Sequence, residues 1–143
     1  MESIRLFSLE RHEGPYEKWP RRTRLFVNGE PSRTTVPGYT LLHQFLTDYG
    51  FLLLTDCDCP FEETTNIVLL DQASLRIISH QQFCAPYASF NLDKFEWIDR
   101  RRAKLTFNKD DHWLLTLRPK RTAFLSPRLC VEKLQSPAQA IDP

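Results

Sequence analysis

Along most of the chain hydrophobic residues recur at every second position, the spacing of strands that lay one face on a core. The clearest case is 103–117. Ala103, Leu105 and Phe107 alternate with Lys104 and Thr106, and Trp113, Leu115 and Leu117 alternate with His112, Leu114 and Thr116. Asn108-Lys109-Asp110-Asp111 between them is polar, so a β-hairpin is predicted there. The same pattern predicts hairpins from Thr40–Thr47 and Phe51–Thr55 around Asp48-Tyr49-Gly50, and from Asn66–Leu70 and Leu75–Ser79 around 71–74. Phe95, Trp97 and Asp99 alternate into Arg100-Arg101-Arg102, which turns the chain into the Ala103 strand. Leu25–Val27 ends at Asn28-Gly29, the dipeptide of a tight two-residue turn. Ile4–Leu9 is an edge-strand candidate.

Strands joined in sequence by short turns pair with their neighbours, so the predicted fold is mainly β: a single-domain antiparallel meander with little helix. A twisted sheet, a sandwich and a partly open barrel all fit this pattern. At 143 residues the chain is too short for a propeller of about four blades of roughly 40 residues each. The domain, 1–143, divides into a proline- and arginine-rich part (1–37), a β core (38–118) and a C-terminal segment with a tail (119–143). Ten prolines against four glycines, concentrated in the first third and the tail, predict irregular extended chain there. Residues 11–22 carry Pro15, Tyr16, Trp19 and Pro20 among charges, which predicts a loop pinned by its aromatics or a contact surface. Ser126-Pro127 has the form of a helix start, and 128–135 fits a short helix or a last strand equally.

Charge changes the picture only when divided by segment. Overall it is +1, which argues against a dedicated nucleic-acid binder. Residues 41–75, however, hold six acids and no Lys or Arg. Four of the six, Asp56, Asp58, Glu62 and Glu63, fall within eight positions. Pro60 predicts that this segment is a loop between two strands. No apolar run approaches the length of a membrane helix, and the amino terminus has no secretory pattern, so a cytoplasmic protein is expected. Cys57, Cys59, Cys84 and Cys130 are expected as free thiols.

The candidate chemistry is sparse. Cys57 and Cys59 with the surrounding acids offer metal ligands, but structural zinc sites use two such pairs, and a calcium loop needs a glycine at its sharp turn. The four acids could act as a general acid and base, yet no substrate-binding signature accompanies them. Cys84 with His80 four residues upstream could form a nucleophile and base, but Phe83-Cys84-Ala85-Pro86 is the setting of a buried, inert thiol. His12 and His43 show no evident partners, and His112 lies on the polar phase of its strand. Arg21-Arg22-Thr23-Arg24 and Arg100–Arg102 lie near Trp19, Phe26 and Trp97 in sequence, but belong to different segments. Neither an enzyme nor a cofactor is expected.

Gly38-Tyr39-Thr40-Leu41, Phe51–Thr55, Asp58-Cys59-Pro60-Phe61-Glu62-Glu63 and Ile67–Asp71, continued through Tyr87 to Trp113–Leu117, resemble small bacterial immunity-type proteins of polymorphic or contact-delivered toxin systems. The likeness covers about 38–118 and is a pattern of strands and an acidic turn. It implies a non-enzymatic inhibitor that blocks the active site of a cognate toxin. The residues themselves point the same way. An acidic patch attracts a cationic surface, and Phe61 and Tyr49 stand beside the acids as anchors. The expected partner-binding set is therefore Asp56, Asp58, Phe61, Glu62, Glu63 and Tyr49, facing a protein with a basic surface rather than a membrane, a nucleic acid or a small-molecule substrate. A metal-binding protein or small enzyme using Asp56–Glu63 is the rival reading. A structural subunit of a larger assembly, docked through its N-terminal Trp/Pro/Arg segment, is the third.

Overall fold

The computed structural model describes residues 1–58, 63–84, 90–119 and 128–135, with Asp58 described by its backbone alone. Its strands are β1 (Glu2–Ser3), β2 (Phe7–Leu9), β3 (Arg22–Val27), β4 (Glu30–Pro37), β5 (Thr40–Thr47), β6 (Gly50–Asp58), β7 (Glu63–Leu70), β8 (Ile77–Phe83), β9 (Leu92–Trp97), β10 (Arg102–Phe107), β11 (Asp111–Leu117) and β12 (Leu129–Lys133). They form three consecutive antiparallel meanders. β2-β3-β4 is a three-stranded sheet, β5-β6-β7-β8 with β1 added beside β5 is a five-stranded sheet, and β9-β10-β11-β12 is a four-stranded sheet. Among the described residues none of them closes on itself.

Turn chemistry enforces the sequential pairing. Asn28 (φ 51°) and Gly29 (φ 80°) are both left-handed, the two-residue turn whose twist matches its strands. At 71–74 the Asp71 carboxylate accepts from the backbone N–H of Ala73 (3.1 Å) and Ser74 (2.7 Å). Asp99 does the same for Arg101 (3.0 Å) and Arg102 (2.9 Å).

The five-stranded sheet is the middle of three layers. One face carries Phe45, Leu52, Leu54, Ile67 and Leu69 against Leu105, Phe107, Leu115 and Leu117 of the four-stranded sheet. The other carries Phe51, Leu53, Val68 and Leu70 against Phe7, Leu25 and Val36 of the three-stranded sheet. Successive residues of 51–54 and 67–70 thus enter opposite cores, and all are buried. A continuous apolar run is the pattern a strand takes when both faces are covered. Polar side chains join the layers at their margins: Thr34 donates to Leu75 O (2.9 Å), Gln81 donates to Leu129 O, and Leu129 N–H donates to Ser79 Oγ (both 3.3 Å).

Two expectations change and one open alternative is decided. The proline-rich first third is not irregular throughout, because 22–37 forms a hairpin whose Leu25 and Val36 are fully buried. Ile4–Leu9 splits into β1 and β2, which join different sheets. The end of the chain contributes a strand rather than a helix: β12 pairs along β11 from Leu117↔Leu129 to Trp113↔Lys133. Ser126, Pro127 and the 136–143 tail lie outside the described residues. No described helix is long and apolar enough to cross a membrane.

Candidate functional site

The β6–β7 ladder runs on through the pairs Asp56↔Thr65, Cys57↔Thr64 and Asp58↔Glu63. Asp56 and Asp58 are therefore strand residues, not loop residues. A proline fails as a donor only at its own position, and the described ladder reaches Asp58, short of Pro60. Cys59, Phe61 and Glu62 lie outside the described residues.

Cross-strand partners share a face and successive residues alternate. Asp56 and Thr65 therefore continue the face of Leu54 and Ile67, toward the four-stranded sheet, and Glu63 follows Thr65 on that face. Asp56 and Glu63 are half-buried. Phe90 lies across this end, its N–H donating to Glu63 O while its carbonyl accepts from Thr65 Oγ1, both at 2.8 Å. Glu63 Oε2 and Thr64 Oγ1 are buried with no hydrogen-bond partner among the described residues.

A second feature adjoins the acids. Tyr39 N–H donates to Asp56 O at 2.7 Å, which seats the residue before β5 at the acidic end. Its ring is the hub of an aromatic corner, lying 5.1 Å from Trp19, 5.4 Å from His12 and 6.1 Å from Tyr16, centroid to centroid. All three contacts are near-perpendicular, at 82°, 83° and 90°, the edge-to-face geometry that ring quadrupoles favour. Polar handles fix the corner. Trp19 Nε1 donates to Gly14 O (3.2 Å), Tyr39 Oη donates to Pro20 O (2.9 Å), and His12 Nε2 meets Thr23 Oγ1 (3.0 Å). The 11–22 segment is thus a loop pinned by its aromatics, with a short 3₁₀ turn at Tyr16–Lys18. Tyr16 stays 36% exposed. Sequence reasoning found the loop but not the constellation, because Thr23 and Tyr39, the partners of His12, come from β3 and the β4–β5 turn.

Tyr49 does not join the acids. It sits in the β5–β6 turn, at the far end of β6, about 30 Å from Asp58 along the strand. There it packs against the larger core. The arginine clusters are engaged on separate sheets. Arg22 donates to Thr35 Oγ1 (3.0 Å) and O (2.7 Å), and Arg24 donates to Ser32 O (2.9 Å). Arg102 pairs with Asp99 at 2.8 Å, and Arg100 with Asp48 at 3.8 Å. Asp99 is held below the ordinary carboxylate range, chiefly by the Arg101 N–H and then by the Arg102 hydrogen bonds.

The nucleophilic pair does not form. His80 Nε2 contacts Asn66 Oδ1 at 3.1 Å, and Cys84 is exposed rather than buried, one step beyond the core residue Phe83. Among the described residues no group of three or more His, Cys, Asp or Glu could hold a metal ion. The described site offers carboxylates for cationic groups and aromatic faces for apolar or cationic ones.

No family model matches the chain, and the searches of curated proteins and of solved structures give no match either.

Proposed function

We propose that this protein is a non-enzymatic protein-binding module, an inhibitor of a cognate toxin with a basic active-site cleft, which it meets through the acidic end of its middle sheet. One observation carries this reading: the Tyr39–Asp56 backbone bond sets an aromatic corner beside the acids. Acidic groups with no Lys or Arg between residues 41 and 75 steer a cationic surface into contact. Exposed Tyr16, backed by Trp19, supplies the aromatic anchor that interface hot spots use. Tyr16 takes the anchoring part first given to Tyr49. Asp56, Asp58, Phe61, Glu62 and Glu63 keep theirs.

Co-expression with the toxin candidate encoded beside this gene tests the reading. The wild-type chain is expected to protect the host, and an Asp58→Asn/Glu62→Gln/Glu63→Gln variant with an unchanged circular dichroism spectrum is expected to lose protection. Full protection by that folded variant contradicts the acidic-end reading.

A further inference from the structure

Beyond the acidic end, the structure carries an open strand edge with a groove beside it. The groove, about 540 Å³, runs between β2 and the first half of β5 and is closed at one end by Trp19 and Tyr39. Its β5 wall, Thr40 to Gln44, spans about 13 Å of strand, the length of four or five extended residues.

The hydrogen-bond phase of β2 fixes which peptide groups face this groove. Among the described residues β2 pairs with β3 on one side only. Ser8 lies opposite Phe26, and Glu10 N–H donates to Arg24 O at 3.0 Å, so Ser8 and Glu10 bond toward β3. In an antiparallel pair the intervening residues turn their N–H and C=O groups the other way. Phe7 confirms the phase, because its N–H and C=O are both taken by the side chain of Gln44 on β5, at 2.8 and 3.0 Å. Leu9 follows in the same phase and directs its peptide groups into the groove, and Arg11, two residues beyond it, lines the same groove.

Gln44 also indicates what belongs there. Its carboxamide accepts from Leu6 N–H (2.9 Å) as well as Phe7 N–H, and donates to Phe7 O. A side-chain amide thus makes, at the start of the gap, the bonds that a neighbouring strand's peptide group would make. Beyond it the gap continues past Leu9 with no second side-chain amide among the described residues that line it. A small ligand would not match a row of alternating donors and acceptors, whereas an extended peptide does.

We infer that the groove takes an extended peptide segment of a partner protein, added as a strand to the free edge of β2, with Leu9 and Arg11 supplying the backbone hydrogen bonds. Leu9 and Leu41 give one side chain of the peptide an apolar seat, and the Trp19–Tyr39 corner limits the length. This surface shares the Trp19–Tyr39 corner with the acidic end but uses none of the acids, so loss of the acids leaves its test unaffected.

The test selects a displayed library of random decapeptides against the folded, full-length protein, then follows binding of the selected peptides by amide NMR. Saturating peptide is expected to slow hydrogen exchange at the Leu9 and Arg11 amides at least about tenfold. N-methylation at alternate peptide residues is expected to abolish binding in one phase and to spare it in the other. The inference is overturned if selected peptides leave the Leu9 and Arg11 amides unprotected, or bind equally well when N-methylated in either phase. It is also overturned if those amides are already protected without peptide: concentration-dependent protection would assign the edge to a second copy, and concentration-independent protection to the chain itself. Since the peptide carries the modification, no outcome depends on a variant that fails to fold.

Discussion

Burial disfavours the charged form of two histidines on the middle sheet. His43 stacks on Phe45 (5.9 Å, 12°) and lies 5.8 Å from Phe95, and this partial burial lowers its pKa. His80 is lowered first by burial and then by the charge of Arg22. In the unfolded chain both titrate near the ordinary value of about 6.5. The stability they confer is therefore complete above that pH and is lost as pH falls from there toward their lower folded values, because the unfolded chain then binds more protons. Asp99 acts in a lower window, losing its contribution only as pH falls below the ordinary carboxylate range. The urea midpoint is expected to drop between pH 7.5 and 5.5, and a His43→Gln/His80→Gln variant to show a smaller drop. A midpoint that rises or stays constant contradicts this.

Two glycines separate backbone strain from collision. Gly50 (φ 135°) starts β6, and a Cβ there would meet the carbonyl of Leu70 on the next strand. Gly29 (φ 80°) would place its Cβ in open space. Gly29→Ala is expected to cost about 1 kcal/mol, and Gly50→Ala about 3 kcal/mol or more, read as shifts in denaturation midpoint. Equal costs at the two sites would contradict the close approach of β6 and β7 at Gly50. At this scale the turns were legible. Asn28-Gly29 and Asp71 carry their own geometry. The placement of Tyr49 away from the acids was not legible, since it depends on β6 running unbroken for nine residues.

Among the elements, β6 and β7 carry the most structural information. Leu53 and Leu54 are neighbours in sequence, both fully buried, and belong to different cores. Leu53→Ala and Leu54→Ala are each expected to cost about 2–5 kcal/mol. A one-sided sheet would charge that cost to only one of them, so a near-neutral result for either variant contradicts the three-layer arrangement. The alternating hairpins at 95–117 were legible because one face is apolar and the other polar. The continuous runs 51–54 and 67–70 were legible as strands, but four apolar residues in a row have no period, and the second layer that covers them is built from chain far away in sequence. For the same reason Phe7, Leu25 and Val36 look scattered along the sequence and meet only in the fold.

In the whole molecule, three meanders stack so that the middle sheet is covered on both faces and its β6–β7 end carries the acids. That end, with Tyr16 and Trp19 beside it, is the surface proposed to meet a cationic partner. Tyr16→Ala removes an exposed ring without opening either core. It is expected to weaken the complex by about 1–2 kcal/mol while leaving the urea midpoint nearly unchanged. Truncation that leaves affinity intact would remove the aromatic corner from the contact.

Electrostatic steering by the acids is the central claim, and the association rate with the co-expressed partner, followed by stopped flow from 50 to 500 mM NaCl, tests it most directly. The rate is expected to fall about tenfold or more with salt for the wild-type chain and to lose most of that dependence in the Asp58→Asn/Glu62→Gln/Glu63→Gln variant. Identical rates and salt slopes for the two proteins would contradict it.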